Sequence, residues 1–158
     1  MLEKMSDFFE NRLEGYDEHM RTNLIGAEEF YPFTAKQLPV VAGASILDLG
    51  CGTGLELEEY DRLCPSAKIT GIDLSQGMLS ALRKKFNKDI TLIVGSYFDV
   101  PFGKSIYDAA VSVESLHHFT KEEKTNTLCP EAITSPNIRN TSLNFPEFPS
   151  YPVSTKRG

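Results

Sequence analysis

Short apolar runs alternate with amphipathic stretches through the middle of this chain. The runs Ser45–Leu49, Lys68–Ile72, Ile90–Val94 and Tyr107–Val113 read as buried parallel strands. Between them, Gly54 to Leu63 and a segment opening at Ser75 read as helices. Ser75 is a suitable N-cap, and Met78, Leu79, Leu82 and Phe86 fall on one face of the helix that follows it. Pro65 closes the first helix's connection to the next strand. Upstream, Leu2, Met5, Phe8, Phe9, Leu13, Tyr16 and Met20 recur near helical spacing, with Gly15 as a break. A further helix is expected from Ala27 to Leu38, stopping at Pro39. The alternation predicts an α/β fold: a Rossmann-like, doubly wound parallel sheet with right-handed crossovers, preceded by N-terminal helices. Lys121-Glu122-Glu123-Lys124 reads as the first turn of another helix. From about Thr125 the pattern is lost. Pro130, Pro136, Pro146, Pro149 and Pro152 recur too often for a helix or a central strand, and Phe145, Phe148 and Tyr151 share no face. That composition predicts an irregular, disordered C-terminal tail.

The first strand runs directly into candidate chemistry. It ends Ile46-Leu47-Asp48-Leu49 and continues Gly50-Cys51-Gly52-Thr53-Gly54. The glycines predict a tight strand-to-helix turn whose backbone a ligand can approach, facing the free N–H groups that open the helix. The second strand ends in Asp73, where a carboxylate is placed to bind ribose hydroxyls. This order of strand, glycine turn, helix, strand and acid points to a nucleoside-type cofactor.

Four segments in register resemble class I S-adenosylmethionine-dependent methyltransferases of the small-molecule type. D-L-G-C-G-T-G (48–54) resembles their first motif, and Gly71-Ile72-Asp73-Leu74-Ser75 their ribose-binding acidic motif. Residues 95–102, G-S-Y-F-D-V-P-F, resemble the adenine-contacting loop, and 107–119 the fourth strand with its following turn. The resemblance covers roughly residues 1–124. It implies S-adenosyl-L-methionine as cofactor and in-line methyl transfer to a small-molecule acceptor, with no metal required.

It also implies roles. Gly50, Cys51, Gly52 and Gly54 admit the methionyl end and ribose. Asp48 either binds the cofactor's ammonium, directly or through water, or hydrogen-bonds the glycine loop. Asp73 takes the ribose hydroxyls. Leu74 and Met78 pack on the adenine, Met78 being equally suited to the core. Tyr97 offers its backbone N–H to the adenine, and Ser96, where the family commonly has Asp, accepts from the adenine amino group with a neutral bond. Glu114 faces the sulfonium or substrate, or caps the next helix. His117 and His118 are candidate general bases or a structural part of the turn.

The family's strand order, usually 3-2-1-4-5-7-6, leads to an expectation of incompleteness. Residues 1–124 are read as the cofactor-binding domain, with 1–44 a helical cover and 45–124 the Rossmann-like core. Residues 125–158 are read as an aberrant tail from a frameshift on a truncated chain, or as a divergent native C-terminus. An unpaired fourth strand would then be an apolar edge open to self-association.

Composition adds exclusions. A chain of 158 residues, 41% hydrophobic and 24% charged, suits one globular domain. A net charge of −6 disfavours nucleic acid as a partner. Arg83, Lys84, Lys85 and Lys88 cluster at a predicted helix end, where cations offset the dipole. Three cysteines without metal spacing suit a reducing cytoplasm, and no apolar run reaches membrane-spanning length. Two other readings remain: a non-catalytic S-adenosylmethionine-binding fragment, and a nicotinamide-dependent oxidoreductase, against which the glycine spacing counts.

Overall fold

The computed structural model describes residues 12–23, 26–103 and 106–115. His117, His118, the helix expected at Lys121 and the tail from Thr125 lie outside these. The described chain forms helices α1 (Tyr16–Asn23) and α2 (Ala27–Gln37), then strand β1 (Ser45–Leu49), α3 (Leu55–Leu63), β2 (Lys68–Asp73), α4 (Gln76–Lys85), β3 (Thr91–Val94) and β4 (Ala109–Val111). The strands are parallel, in the order β3-β2-β1-β4. β1 is therefore central, and the order reverses between β1 and β4 after the chain has wound outward through β2 to β3.

Side-chain alternation along β1 divides the interior into two layers. Ile46 packs with Leu57 and Tyr60 of α3, Leu79 and Leu82 of α4, and Ala35 of α2. Leu47 and Leu49 point the other way, to Ile72 and Tyr97, with Phe98, Val100, Phe102 and Tyr107 packed alongside. Among the described residues, helices cover one face and the loop between β3 and β4 covers the other. Asp48 shares its face of β1 with Ile46, which turns it toward α3.

Element ends follow local hydrogen bonding. Ser75 caps α4, its Oγ accepting from the Met78 amide at 3.1 Å. α2 ends at Gln37, and the Leu38 amide donates to the Ala35 carbonyl in a tighter final turn. β4 is shorter than the expected Tyr107–Val113. At its start, the Asp108 carboxylate accepts from the Ser45 amide at 2.8 Å, and at its end the Ser112 hydroxyl donates to the Leu49 carbonyl at 2.8 Å. Side chains thus take over backbone groups that a longer ladder would use. β3 begins at Thr91 rather than Ile90, whose carbonyl accepts from the Arg83 guanidinium.

Candidate functional site

The turn after β1 is fastened to β2 by backbone bonds. The Gly50 and Cys51 amides donate to the Ile72 carbonyl at 2.8 and 3.0 Å, and the Gly54 amide closes the turn on the Cys51 carbonyl at 2.8 Å. Two glycines are required for different reasons. At Gly50, φ is +77° and a Cβ would lie 2.1 Å from Ser115 Oγ, so a side chain has neither the conformation nor the space. At Gly52, φ is +50° but a Cβ would meet no heavy atom within 4 Å. The space before Gly52 is open, and it opens onto a pocket. Gly71 in β2 makes room for the Cys51 thiol: a Cβ there would lie 2.7 Å from Cys51 Sγ.

Asp73 ends β2 and braces this turn. Its Oδ2 accepts from the Gly52 amide and its Oδ1 from the Ser75 amide, both at 2.9 Å. The carboxylate therefore joins the glycine turn to the cap of α4 while lying on the pocket wall. α3 opens at Gly54 without a side-chain cap, and Gly54, Leu55 and Glu56 line the same pocket. The N–H groups at a helix start lack intrahelical partners, and in this turn the Glu56 carboxyl accepts from a backbone amide.

Of the residues singled out in the sequence, Gly50, Cys51, Gly52, Gly54, Asp73, Leu74, Met78, Ser96, Tyr97 and Glu114 all line this one pocket. Met78 is also buried, at 1% exposure, so it serves pocket and core together. Ser96 Oγ accepts from the Phe98 amide at 3.2 Å, which leaves the hydroxyl oxygen a second lone pair. The Tyr97 and Ser115 hydroxyls are 3.1 Å apart and tie the β3–β4 loop to the turn after β4. Glu114 adopts φ +49°, the one positive φ outside glycine among the described residues, and directs the chain out of β4. His117 and His118 fall beyond the described residues.

Asp48 departs from expectation. It is wholly buried, is not on the pocket wall, and no donor reaches either carboxyl oxygen. It does not hydrogen-bond the glycine loop. The reason is the pleat: its face of β1 looks at α3, where the carboxyl of Glu56 adjoins it. Burial, followed by the neighbouring acid, pushes the Asp48 carboxyl well above its ordinary range. Burial likewise raises Glu56. The Cys51 thiol is also pushed up, by burial and then by Asp48.

Sequence reading missed several wall residues. Tyr16 and Met20 of α1 and Tyr31 of α2 roof the pocket. Burial, then Glu56, pushes the Tyr16 phenol up to about 12, and Tyr31 is raised for the same reasons. Helical spacing marked Tyr16 and Met20 as apolar without indicating which surface they meet. Glu56 is 4% exposed although it sits in the acidic run Leu55-Glu56-Leu57-Glu58-Glu59. Its one sequence signal is position: it shares an i, i+4 face with the buried Tyr60 in the turn after the glycines. Three cations of the basic cluster at the end of α4 and just after it make structural contacts. Arg83 binds the Ile90 carbonyl, Lys85 pairs with Asp17 and Glu58, and Lys88 pairs with Asp61 and donates to the Pro65 and Ala67 carbonyls.

The pocket therefore lies at the carboxyl ends of β1 and β2, beside the point where strand order reverses, and is built on a glycine turn and a strand-end acid. A methyltransferase-domain family matches residues 46–132. The chain belongs to the class I S-adenosylmethionine-dependent methyltransferases. It is 28% identical over 124 residues to an uncharacterized methyltransferase of Geobacillus sp. (strain WCH70), covering 78% of this chain and 55% of that protein. It is 31% identical over 109 residues to the demethylmenaquinone methyltransferase of Symbiobacterium thermophilum, covering 65% and 43%. Among solved structures it resembles Streptomyces venezuelae DesVI, with a TM-score of 0.60, 25% identity and coverage of 80% of this chain and 55% of that one. It also resembles the plantazolicin methyltransferase BpumL in complex with SAH, with a TM-score of 0.56, 25% identity and coverage of 84% and 49%. The chain spans about half the length of the curated relatives it matches.

No helix among the described residues is long and apolar enough to cross a membrane. The charged side chains on the described pocket wall are Glu56, Asp73 and Glu114, all acids, which suits a ligand bearing positive charge.

Proposed function

We propose that this chain binds S-adenosylmethionine in the glycine-turn pocket and forms the cofactor-binding part of an enzyme that methylates a small molecule. The observation that carries the reading is Asp73, which holds the Gly52 amide from the end of β2 and still presents a carboxylate to the pocket. The residues suit this cofactor: space open at Gly52, the start of α3 on the pocket wall, and charged side chains that are all acids among the described residues. When bound, the cofactor would supply an electrophilic methyl group on a sulfonium sulfur.

In this reading Asp73 accepts from the ribose hydroxyls, and the backbone of Gly50, Cys51, Gly52 and Gly54 borders the ribose and methionyl end. Leu74 and Met78 pack against the adenine, and Ser96 and Tyr97 bond its edge. Tyr16, Met20 and Tyr31 form a roof that excludes water, which strengthens charge–charge attraction beneath it. Glu114, His117 and His118 are the candidates for the base that takes the acceptor's proton. Residues 1–124 form the cofactor-binding unit, and the buried free thiols Cys51 and Cys64 suit a reducing cytoplasm. Calorimetry of the full chain with S-adenosylmethionine tests the reading. One-site binding is expected, and absence of heat at millimolar cofactor would defeat it.

A further inference from the structure

Glu114 lies on the pocket wall with φ +49°, in the left-handed region. A residue with a side chain stays there only where its surroundings over-determine the backbone. Two serines bracket it. The Ser112 hydroxyl donates to the Leu49 carbonyl at the end of β1, at 2.8 Å. The Ser115 and Tyr97 hydroxyls bond each other at 3.1 Å. Ser115 also occupies the space that Gly50 leaves by having no side chain. A Cβ on Gly50 would lie 2.1 Å from Ser115 Oγ, 2.5 Å from Ser115 Cβ and 3.5 Å from Tyr97 Cε1. Three segments therefore meet at Ser115: the glycine turn through Gly50, the β3–β4 loop through Tyr97, and the chain leaving β4. Tyr97 is a stiff link between them. It is buried, packs with Leu47, Leu49 and Ile72, and has its ring centroid 4.9 Å from that of Phe98.

Resting on the S-adenosylmethionine reading, in which the Tyr97 backbone bonds the adenine edge, we infer that Ser115 is a positioning residue that couples the filled cofactor site to the conformation of Glu114. The chain after β4 has two arrangements. With Ser115 seated against Gly50 and Tyr97, Glu114 is held left-handed on the pocket wall. With Ser115 released, Glu114 relaxes to an ordinary φ and its carboxylate leaves that position. The cofactor borders the glycine turn and bonds the β3–β4 loop, the two elements that Ser115 touches. Occupancy fixes both, so it favours the seated arrangement and readies the acceptor side of the pocket. Ser115 touches no reacting atom in this account and acts through Glu114.

The test is amide hydrogen exchange followed by NMR on the full chain, with and without saturating S-adenosylmethionine. In the wild type the cofactor should slow exchange at Val113, Glu114 and Ser115 roughly five- to tenfold, the worth of about one hydrogen bond, besides slowing it at residues 50–54. Ser115→Ala should abolish the slowing at residues 113–115 while the slowing at residues 50–54 persists. A merely structural loss would instead speed exchange with and without ligand alike and leave the ligand's effect in place. Tyr97→Phe, which removes the other hydroxyl, should give the same result, and the double variant should lose nothing more. Slowing at residues 113–115 that survives in either variant would overturn the inference and leave the cofactor reading standing. So would a wild type that binds S-adenosylmethionine without slowing there, or a Ser115→Ala chain that no longer binds it, since the hydroxyl would then hold the ligand itself. A wild type that does not bind S-adenosylmethionine would overturn both.

Discussion

Asp73 is both a brace and a proposed ribose seat, and two substitutions separate these roles. Asp73→Ala removes an acceptor from two backbone amides as well as from the ligand. It should lower the melting temperature and weaken S-adenosylmethionine by about 1.5–3 kcal/mol, as for bonds to a charged group. Asp73→Asn keeps one acceptor oxygen and should recover part of the stability with little of the affinity. Paired melts and calorimetry read both effects, and unchanged affinity in the alanine variant would remove Asp73 from the ligand site. Gly52→Val tests the turn. Its side chain would enter the open space in a backbone with φ +50°, where a β-branched residue is strained. Binding should be lost with the circular dichroism spectrum retained, and a variant that binds normally would place the ligand elsewhere. Asp73 and the glycines were legible in the sequence because a strand end and a left-handed turn constrain residue type locally. Glu56 and Tyr31 were not, since their place in the pocket depends on tertiary packing. In sequence, an acid within Leu-Glu-Leu-Glu-Glu is indistinguishable from one on a solvated helix face.

At the scale of elements, α1 has no buried residue and is held mainly by polar contacts. Arg21 pairs with Glu58 at 3.0 Å, Lys85 bonds both Asp17 and Glu58, and the Thr53 hydroxyl donates to Asp17. Each partly exposed pair contributes at most about 1 kcal/mol and is screened by salt. Because Lys85 links α1 to both α3 and α4, Lys85→Met should release the roof more than it destabilises the sheet. Hydrogen exchange should quicken over residues 16–23, mimicked in the wild type by high salt, while β1 stays protected. Unchanged exchange would mean that Met20, packed against Ala27, Tyr31 and Leu55, anchors α1 alone. The sequence predicted β1 with its observed bounds and the Ser75 cap, because continuous burial and capping leave local marks. It overran β4, since Asp108 and Ser112 end that strand through bonds to β1, more than sixty residues away.

At the scale of the whole molecule, the order β3-β2-β1-β4 follows from the strand–helix alternation and puts the glycine turn beside the reversal of winding. That order was legible because each crossover is local. The cost of the site was not, because it comes from acids brought together from β1, β2 and α3. Asp48 and Glu56 are both raised above their ordinary range, chiefly by burial. The sign of the consequence is set by proton counts. As pH rises through the ordinary carboxylate range, the unfolded chain gives up these protons while the folded chain keeps at least one. The pair's contribution to stability is therefore fully present below the unfolded pKa values, and is lost progressively as pH rises toward the raised folded value. Thermal melts of the ligand-free chain from mildly acidic to mildly alkaline pH should show the wild type losing stability across this window. Glu56→Gln should lessen the decline, because it removes one of the two buried acids whose carboxyls burial raises. If wild type and variant decline in parallel, the acid pair does not hold a proton in the folded chain.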